Sequence, residues 1–203
     1  MSKGFNGQQI LLGADLSHHN YGEINPALFD FVWLKATEGR TYVDSKMNTY
    51  LTEMAEQCGG DGVPFIGFYH YARAESNLPE EEAEHFIKTI EPHIGNCLMA
   101  LDWEGKSADI NQSWAVRWLN HVKAKTGHTP LIYCSASVTR KLGTVATAGY
   151  PLWVAHYISA KRKSLQPDFY NWADYKFWQF TSAPFDVDIF KGSRADLISL
   201  INS

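Results

Sequence analysis

A chain of 203 residues with 45% hydrophobic and 14% aromatic side chains can bury one sizeable core, which excludes a disordered polymer and leads us to expect a single domain over 1–203. Lysine and arginine number 18 against 22 aspartate and glutamate, a formal net charge of −4; with no basic block, a nucleic-acid partner has no electrostatic footprint. Cys58, Cys97 and Cys134 are widely spaced and odd in number, which fits buried free thiols better than a disulfide framework or a zinc site.

The first nine residues lack the apolar stretch of a secretory leader, and no run is long enough to cross a bilayer. The expectation is a soluble chain with no visible export signal and no membrane insertion. Ile10-Leu11-Leu12-Gly13-Ala14 reads as a buried strand that delivers Asp15 at its carboxyl end, just ahead of His18 and His19. Residues 31–36 are rich in strand formers and end at Thr37-Glu38-Gly39. Asp44-Ser45 is placed to cap a helix to about Cys58, stopped by Gly59-Gly60, and a strand over 63–71 follows. Pro79-Glu80-Glu81-Glu82 opens a helix to about Ile90 with acidic residues where the helix dipole favours them, so that acidic run is read as structural.

Leu98-Met99-Ala100-Leu101-Asp102-Trp103-Glu104 is an apolar run that ends in two carboxylates. Strand side chains alternate, so Asp102 and Glu104 project from one face and Trp103 from the other. At a rise of about 3.3 Å per residue their Cβ atoms lie roughly 6 to 7 Å apart, close enough for each charge to shift the other's pKa. Such a pair can set a protonated acid beside an ionised stabiliser, the equipment of glycoside hydrolysis. Taken alone, the same pattern also describes a solvated strand edge.

Apolar residues at Trp114, Val116, Trp118, Leu119 and Val122 predict an amphipathic helix over 111–126, ended by Gly127. A fifth strand at 130–134, a short helix at 135–142 and a sixth strand at 151–157 come next. Residues 161–175 read as loop, 175–180 and 186–190 as two further strands, and 193–201 as a closing helix. Strands alternating with helices predict an α/β domain, and polar or aromatic strand ends predict a TIM-like (β/α) barrel with its site at the carboxyl-terminal rim. Full helices are missing between the later strands, so the barrel is expected to be irregular, with incomplete helices in its second half. A doubly wound open sheet is the alternative, but no glycine-rich phosphate loop follows any strand.

Several separated motifs occur in order: Gly13-Ala14-Asp15-Leu16-Ser17, Lys35-Ala36-Thr37-Glu38-Gly39, Gly67-Phe68-Tyr69-His70-Tyr71, Leu101-Asp102-Trp103-Glu104, Pro130-Leu131-Ile132-Tyr133, Leu152-Trp153-Val154-Ala155-His156-Tyr157, Trp178-Gln179-Phe180 and Val187-Asp188. On these the sequence resembles, over essentially its whole length, the glycoside hydrolase family 25 lysozymes, the Chalaropsis-type N-acetylmuramidases. The resemblance implies hydrolysis of the β-1,4 bond between N-acetylmuramic acid and N-acetylglucosamine in bacterial peptidoglycan. By motif, Glu104 resembles the general acid. Asp102 resembles its partner carboxylate, either stabilising positive charge near the anomeric centre or orienting the substrate acetamido group. Asp15 and Asp188 resemble the two remaining acidic residues, which tune pKa values and hold the sugar. A covalent intermediate and assistance by the acetamido group both stay open.

Tyr69, Tyr71, Tyr133, Trp153, Tyr157 and Trp178 fall at or near strand ends, where rings can stack on sugars and tyrosine hydroxyls or Gln179 can bond acetamido groups. Core packing competes for each, and Trp33, Trp114, Trp118 and Trp172 are read as structural or surface residues. Lys35 and Glu38 form a candidate rim ion pair. No metal or other cofactor is expected: His-x-x-x-His and His-Glu-x-x-His are absent, and Asp186-x-Asp188 lacks the glycine and downstream Glu of a calcium loop. Residues 16–25 follow the family pattern loosely, so His18 and His19 receive no role. The chain is expected to be a monomer without a separate wall-binding domain, reaching the wall after lysis or non-classical export, as a phage endolysin-like or a bacterial protein. A wall-polysaccharide binding module that kept the fold and lost catalysis is the alternative.

Overall fold

The computed structural model describes residues 10–20, 24–58, 64–158 and 166–203. Residues 1–9, where no leader is expected, the Gly59-Gly60 helix stop, the first position of the 63–71 strand and the beginning of the 161–175 loop lie outside the described residues. The strands are β1 (Ile10–Leu16), β2 (Phe31–Glu38), the two-residue β3 (Tyr42–Val43), β4 (Phe65–Tyr71), β5 (Leu98–Asp102), β6 (Leu131–Ser135), β7 (Leu152–Ala155), β8 (Phe177–Thr181) and β9 (Val187–Lys191). The helices are α1 (Met47–Cys58), α2 (Pro79–Ile90), α3 (Ser113–Thr126), α4 (Ala136–Thr139), α5 (Gly143–Thr147) and α6 (Arg194–Ile201).

The strands pair in the order β1-β9-β8-β7-β6-β5-β4-β2, and β1 also pairs with β2, so eight strands close a barrel while β3 hangs on β2. Seven barrel strands run parallel, and β9 runs antiparallel to both β8 and β1. Both faces of the strands are apolar because both are buried. Phe31, Trp33, Leu98, Ala100, Leu131, Trp153, Phe177 and Phe190 fill the interior, while Val32, Leu34, Phe68, Leu101, Ile132 and Val154 pack outward towards the helices.

Trp33 and Trp153 stack at 4.6 Å in the barrel interior, and Gly67 makes room for them. A Cβ at Gly67 would fall 2.3 Å from the Trp33 ring. α6 supplies Leu197 and Ile201 to the same interior cluster, and its Arg194 lies over Phe65, at the amino end of β4. The helix therefore covers the end of the barrel opposite the rim where the parallel strands finish.

The second half is helix-poor, as its sequence suggested. The helix expected over 135–142 stops at Thr139, where the Asn171 amide donates to the carbonyls of Thr139 and Arg140 and takes the acceptors a further turn would use. The separate α5 and the short β3 carry too little periodicity to be read from sequence. β5 ends at Asp102 rather than Glu104, although Trp103 N still donates to Tyr133 O at 2.9 Å and preserves the strand's phase. The helix after Asp44 begins only at Met47. One Asp44 oxygen accepts from Lys46 N and the other from His18 N, so this carboxylate ties β1's exit to the start of α1. No helix among the described residues is long and apolar enough to cross a membrane.

Candidate active site

Because β9 runs backwards, its amino end meets the carboxyl ends of the seven parallel strands at one rim. A cavity of about 460 Å³ opens there. Asp102 is the last inward position of β5, and Glu104 continues the phase two residues on; both line the cavity. Trp103 turns outward and packs on Trp114 at 5.5 Å between centroids. Gly105 follows with φ +55°, and a Cβ there would sit 2.7 Å from the Tyr71 hydroxyl. Only glycine combines that left-handed turn with that contact, so the residue after Glu104 helps fix where Glu104 stands.

Burial pushes Asp102 well above the ordinary carboxyl range, the charge of Glu104 pushes it further, and Lys35 opposes both. Glu104 is raised by its own burial and by Asp186, again against Lys35. Asp102 Oδ1 is buried and accepts no hydrogen bond among the described residues.

Asp15 and Asp188 form a second acidic pair. Asp15 Oδ2 accepts from Gln179 Nε2 at 2.6 Å, and Asp188 Oδ1 accepts from Trp153 Nε1 at 2.7 Å. Asp188 Oδ2 has no donor while both carboxyls are ionised; one proton between the two acids makes a hydrogen bond there. Burial, then the charge of Asp186, pushes Asp15 up to about 7. Asp188 is fully buried and is raised by burial and by Asp15. It stands behind Asp15 and does not itself line the cavity.

Tyr69, Tyr71, Tyr133, Trp153, Tyr157, Gln179, Lys35 and Glu38 also line the cavity. Gln179 is almost fully buried, and its Oε1 accepts from the hydroxyls of Tyr133 at 3.0 Å and Tyr157 at 2.5 Å. Lys35 Nζ bonds Glu38 at 2.6 Å, and Arg73 Nε donates to the other Glu38 oxygen at 2.8 Å. Burial works against the Glu38 charge, but these two cations hold its pKa below the ordinary range. Lys35 and Arg73 also lie 4.9 and 5.1 Å from the Tyr71 ring centroid.

Trp178 departs from its expected place at the sugar site. On β8, Phe177 and Gln179 point inward, so Trp178 points outward, joins the outer core and donates its indole N–H to His156 O at 2.8 Å. Ser17, His19, Arg73 and Asp186 line the cavity without having been singled out for it. Asp186 was legible in principle, being two residues before Asp188 and so in the same strand phase. Arg73 was not: its backbone N–H is held by Glu82, whose carboxylate also meets His70 at 2.7 Å in a fully buried pair behind β4. His18 is engaged by Asp44 at 2.6 Å. Among the described residues no cluster of three or more His, Cys, Asp or Glu is arranged to hold a metal.

An eight-stranded barrel with paired carboxyls and aromatic rings around its carboxyl-terminal mouth has the build of a TIM-like glycosidase. The match to a family model settles which: residues 15–189 fit the model described as glycosyl hydrolases family 25, and the chain belongs to that family. An autolytic lysozyme of Clostridium acetobutylicum is 32% identical over 141 residues, covering 68% of this chain and 41% of that protein. Lysozyme M1 of Streptomyces globisporus is 26% identical over 223 residues, covering 94% and 71%. The solved muramidase from Trichobolus zukalii superposes with a TM-score of 0.76 at 28% identity, covering 95% of this chain and 99% of that one. A family GH25 lysozyme from Aspergillus fumigatus gives 0.76 at 25%, covering 96% and 100%. The chain spans 41% of the clostridial relative and 65% of YegX from Escherichia coli.

Proposed function

We propose that the chain hydrolyses the β-1,4 bond between N-acetylmuramic acid and N-acetylglucosamine in bacterial peptidoglycan, with Glu104 as general acid. The carrying observation is the unpartnered, buried Asp102 Oδ1 beside Glu104 in the cavity. Family membership and lysozyme-named relatives support the substrate.

Asp102 is more deeply buried than Glu104, so before a sugar binds burial favours keeping a proton on Asp102. A sugar acetamido N–H donating to Oδ1 supplies the missing hydrogen bond and favours the ionised form. The bound sugar also excludes water from Glu104 and keeps that carboxyl protonated. Substrate thus sorts the two carboxyls into a stabilising anion and an acid. Glu104 gives its proton to the leaving oxygen as the glycosidic bond breaks, while Asp102 orients the acetamido group, whose carbonyl oxygen attacks the anomeric carbon with net retention once water has completed the cycle. The Asp15–Asp188 pair, braced by Gln179 and Trp153, holds the sugar beside them.

The test is digestion of purified peptidoglycan by the native chain and by Glu104→Gln, with fragments reduced by borohydride and identified by mass spectrometry. The expected result is reduced muramic acid ends from the native chain and a loss of roughly 10²- to 10⁴-fold in the variant. Reduced glucosamine ends or free peptides would reject the assigned bond. Equal glycan binding by both chains with no cleavage by either would leave a binding module.

A further inference from the structure

A second cavity, of about 490 Å³, adjoins the first, with Glu104, Tyr133 and Tyr157 lining both. Glu104 therefore stands between two chambers, as an acid must when the oxygen it protonates joins two sugars. The chambers differ in chemistry. Asp15, Asp102 and Asp186 belong only to the first. The second holds a carboxylate of its own, Asp168, which accepts from the Tyr170 hydroxyl at 3.4 Å, and is otherwise lined by Ser135 and Ser137, by His156 after β7, and by Arg140 and Tyr170.

Arg140 and Tyr170 form a built platform. The guanidinium lies 3.7 Å from the Tyr170 ring centroid and also donates to its hydroxyl. The Asn171 amide pins the Arg140 backbone carbonyl at 3.0 Å. Stacking holds the guanidinium plane while leaving it able to meet a carboxylate with two parallel N–H bonds. Every other cation named in the cleft is already spent on a carboxylate: Lys35 and Arg73 both serve Glu38.

Resting on the function proposed above, we infer that the second cavity receives the leaving-group side of the glycan, and that Arg140, stacked on Tyr170, binds a carboxylate of the peptide stem there. The leaving sugar, N-acetylglucosamine, carries no carboxylate. The muramic residue beyond it bears the stem, so an anion is due one sugar further from Glu104. Arg140 and Tyr170 line the second cavity and not the first, which matches that offset.

The experiment compares soluble glycan strands carrying their stems with the same strands stripped by an amidase and then converted to methylamides at the lactyl carboxyls that stripping frees, for the native chain, Arg140→Ala and Arg140→Lys. For Arg140→Ala the ratio of KM on stem-bearing to stripped strands is expected to rise about tenfold, with kcat on the stem-bearing polymer within about twofold of native. Arg140→Lys should recover part of the change, since it keeps the charge and loses the fork. A melting temperature equal to the native one checks that the fold is intact. An unchanged KM ratio overturns the inference, whether or not KM moves on both polymers together. A native chain that cleaves neither polymer overturns the underlying muramidase reading and the inference with it, so the two failures are told apart.

Discussion

Gln179 donates its amide N–H to Asp15 across 2.6 Å while its carbonyl end accepts from the Tyr133 and Tyr157 hydroxyls. An amide satisfied at both ends has one orientation, so Asp15 always meets a donor and never a lone pair.

Gln179→Glu replaces that donor by a carboxylate against an acid that burial already strains. The expected outcome is a fall in kcat/KM on the order of 10²-fold, steeper at pH 8 than at pH 5, because at low pH a proton shared with Asp15 can restore the hydrogen bond. A pH-independent loss would show that Gln179 acts by shape alone.

Lys35 is buried, and its charge opposes the rise in both Asp102 and Glu104. Lys35→Met keeps the volume and removes the charge, so both carboxyls should hold their protons to higher pH. Since Glu104 works protonated, the alkaline limb of the kcat/KM profile is expected to move up by roughly one pH unit. A limb that stays in place, or moves down, would dissociate Lys35 from the acid.

Asp15 is pushed up to about 7 in the fold from the ordinary 3.8. The folded chain therefore keeps a proton that the unfolded chain releases, and the associated stability is full below 3.8 and is lost as pH rises through about 7. Asp15→Asn has no charge to bury. It is expected to melt about 5 °C above the native chain at pH 8, as a gain of about 2 kcal/mol does in a chain of this size, and to match it near pH 4. Melting curves at the two pH values check the sign.

Glu82 accepts from Arg73 N at 3.1 Å and from Asn77 Nδ2 at 2.7 Å, besides meeting His70 Nε2 at 2.7 Å. Burial lowers the pKa of His70, against the pull of that carboxylate. Glu82→Ala strands all three partners, at an expected loss of about 3 to 5 kcal/mol in a urea titration. Turnover should fall as well, because the backbone that carries Arg73 to Glu38 loses its anchor. A loss below about 1 kcal/mol would mean that the pocket relaxes around the deletion.

How far the site could be read from the chain depended on phase. Asp102 and Glu104 share a face with Trp103 opposite because a strand alternates whatever surrounds it. The same rule forbade Trp178 and Gln179 from both entering the site, yet nothing local chose between them. Pairing of β8 with β7 and β9 made the choice, seating Phe177 in the barrel and Gln179 at its mouth. The acidic run after Pro79 was legible as a helix start, but not that Glu82 would be buried against His70, since that contact joins a helix to the back of a strand.

The sequence by itself determined the strand and helix periodicities, the family motifs, the carboxyl-bearing strand ends and the scarcity of helix in the second half, all of which are written in residues near one another. Only the tertiary structure decided that the barrel closes through β1 and β2, that the reversed β9 brings Asp186 and Asp188 to the rim, and that Arg73 and Arg140 stand at the cleft. Strand direction, closure and burial come from pairings between residues far apart in the chain, and the raised proton affinity of the carboxyls exists only once those pairings have excluded water.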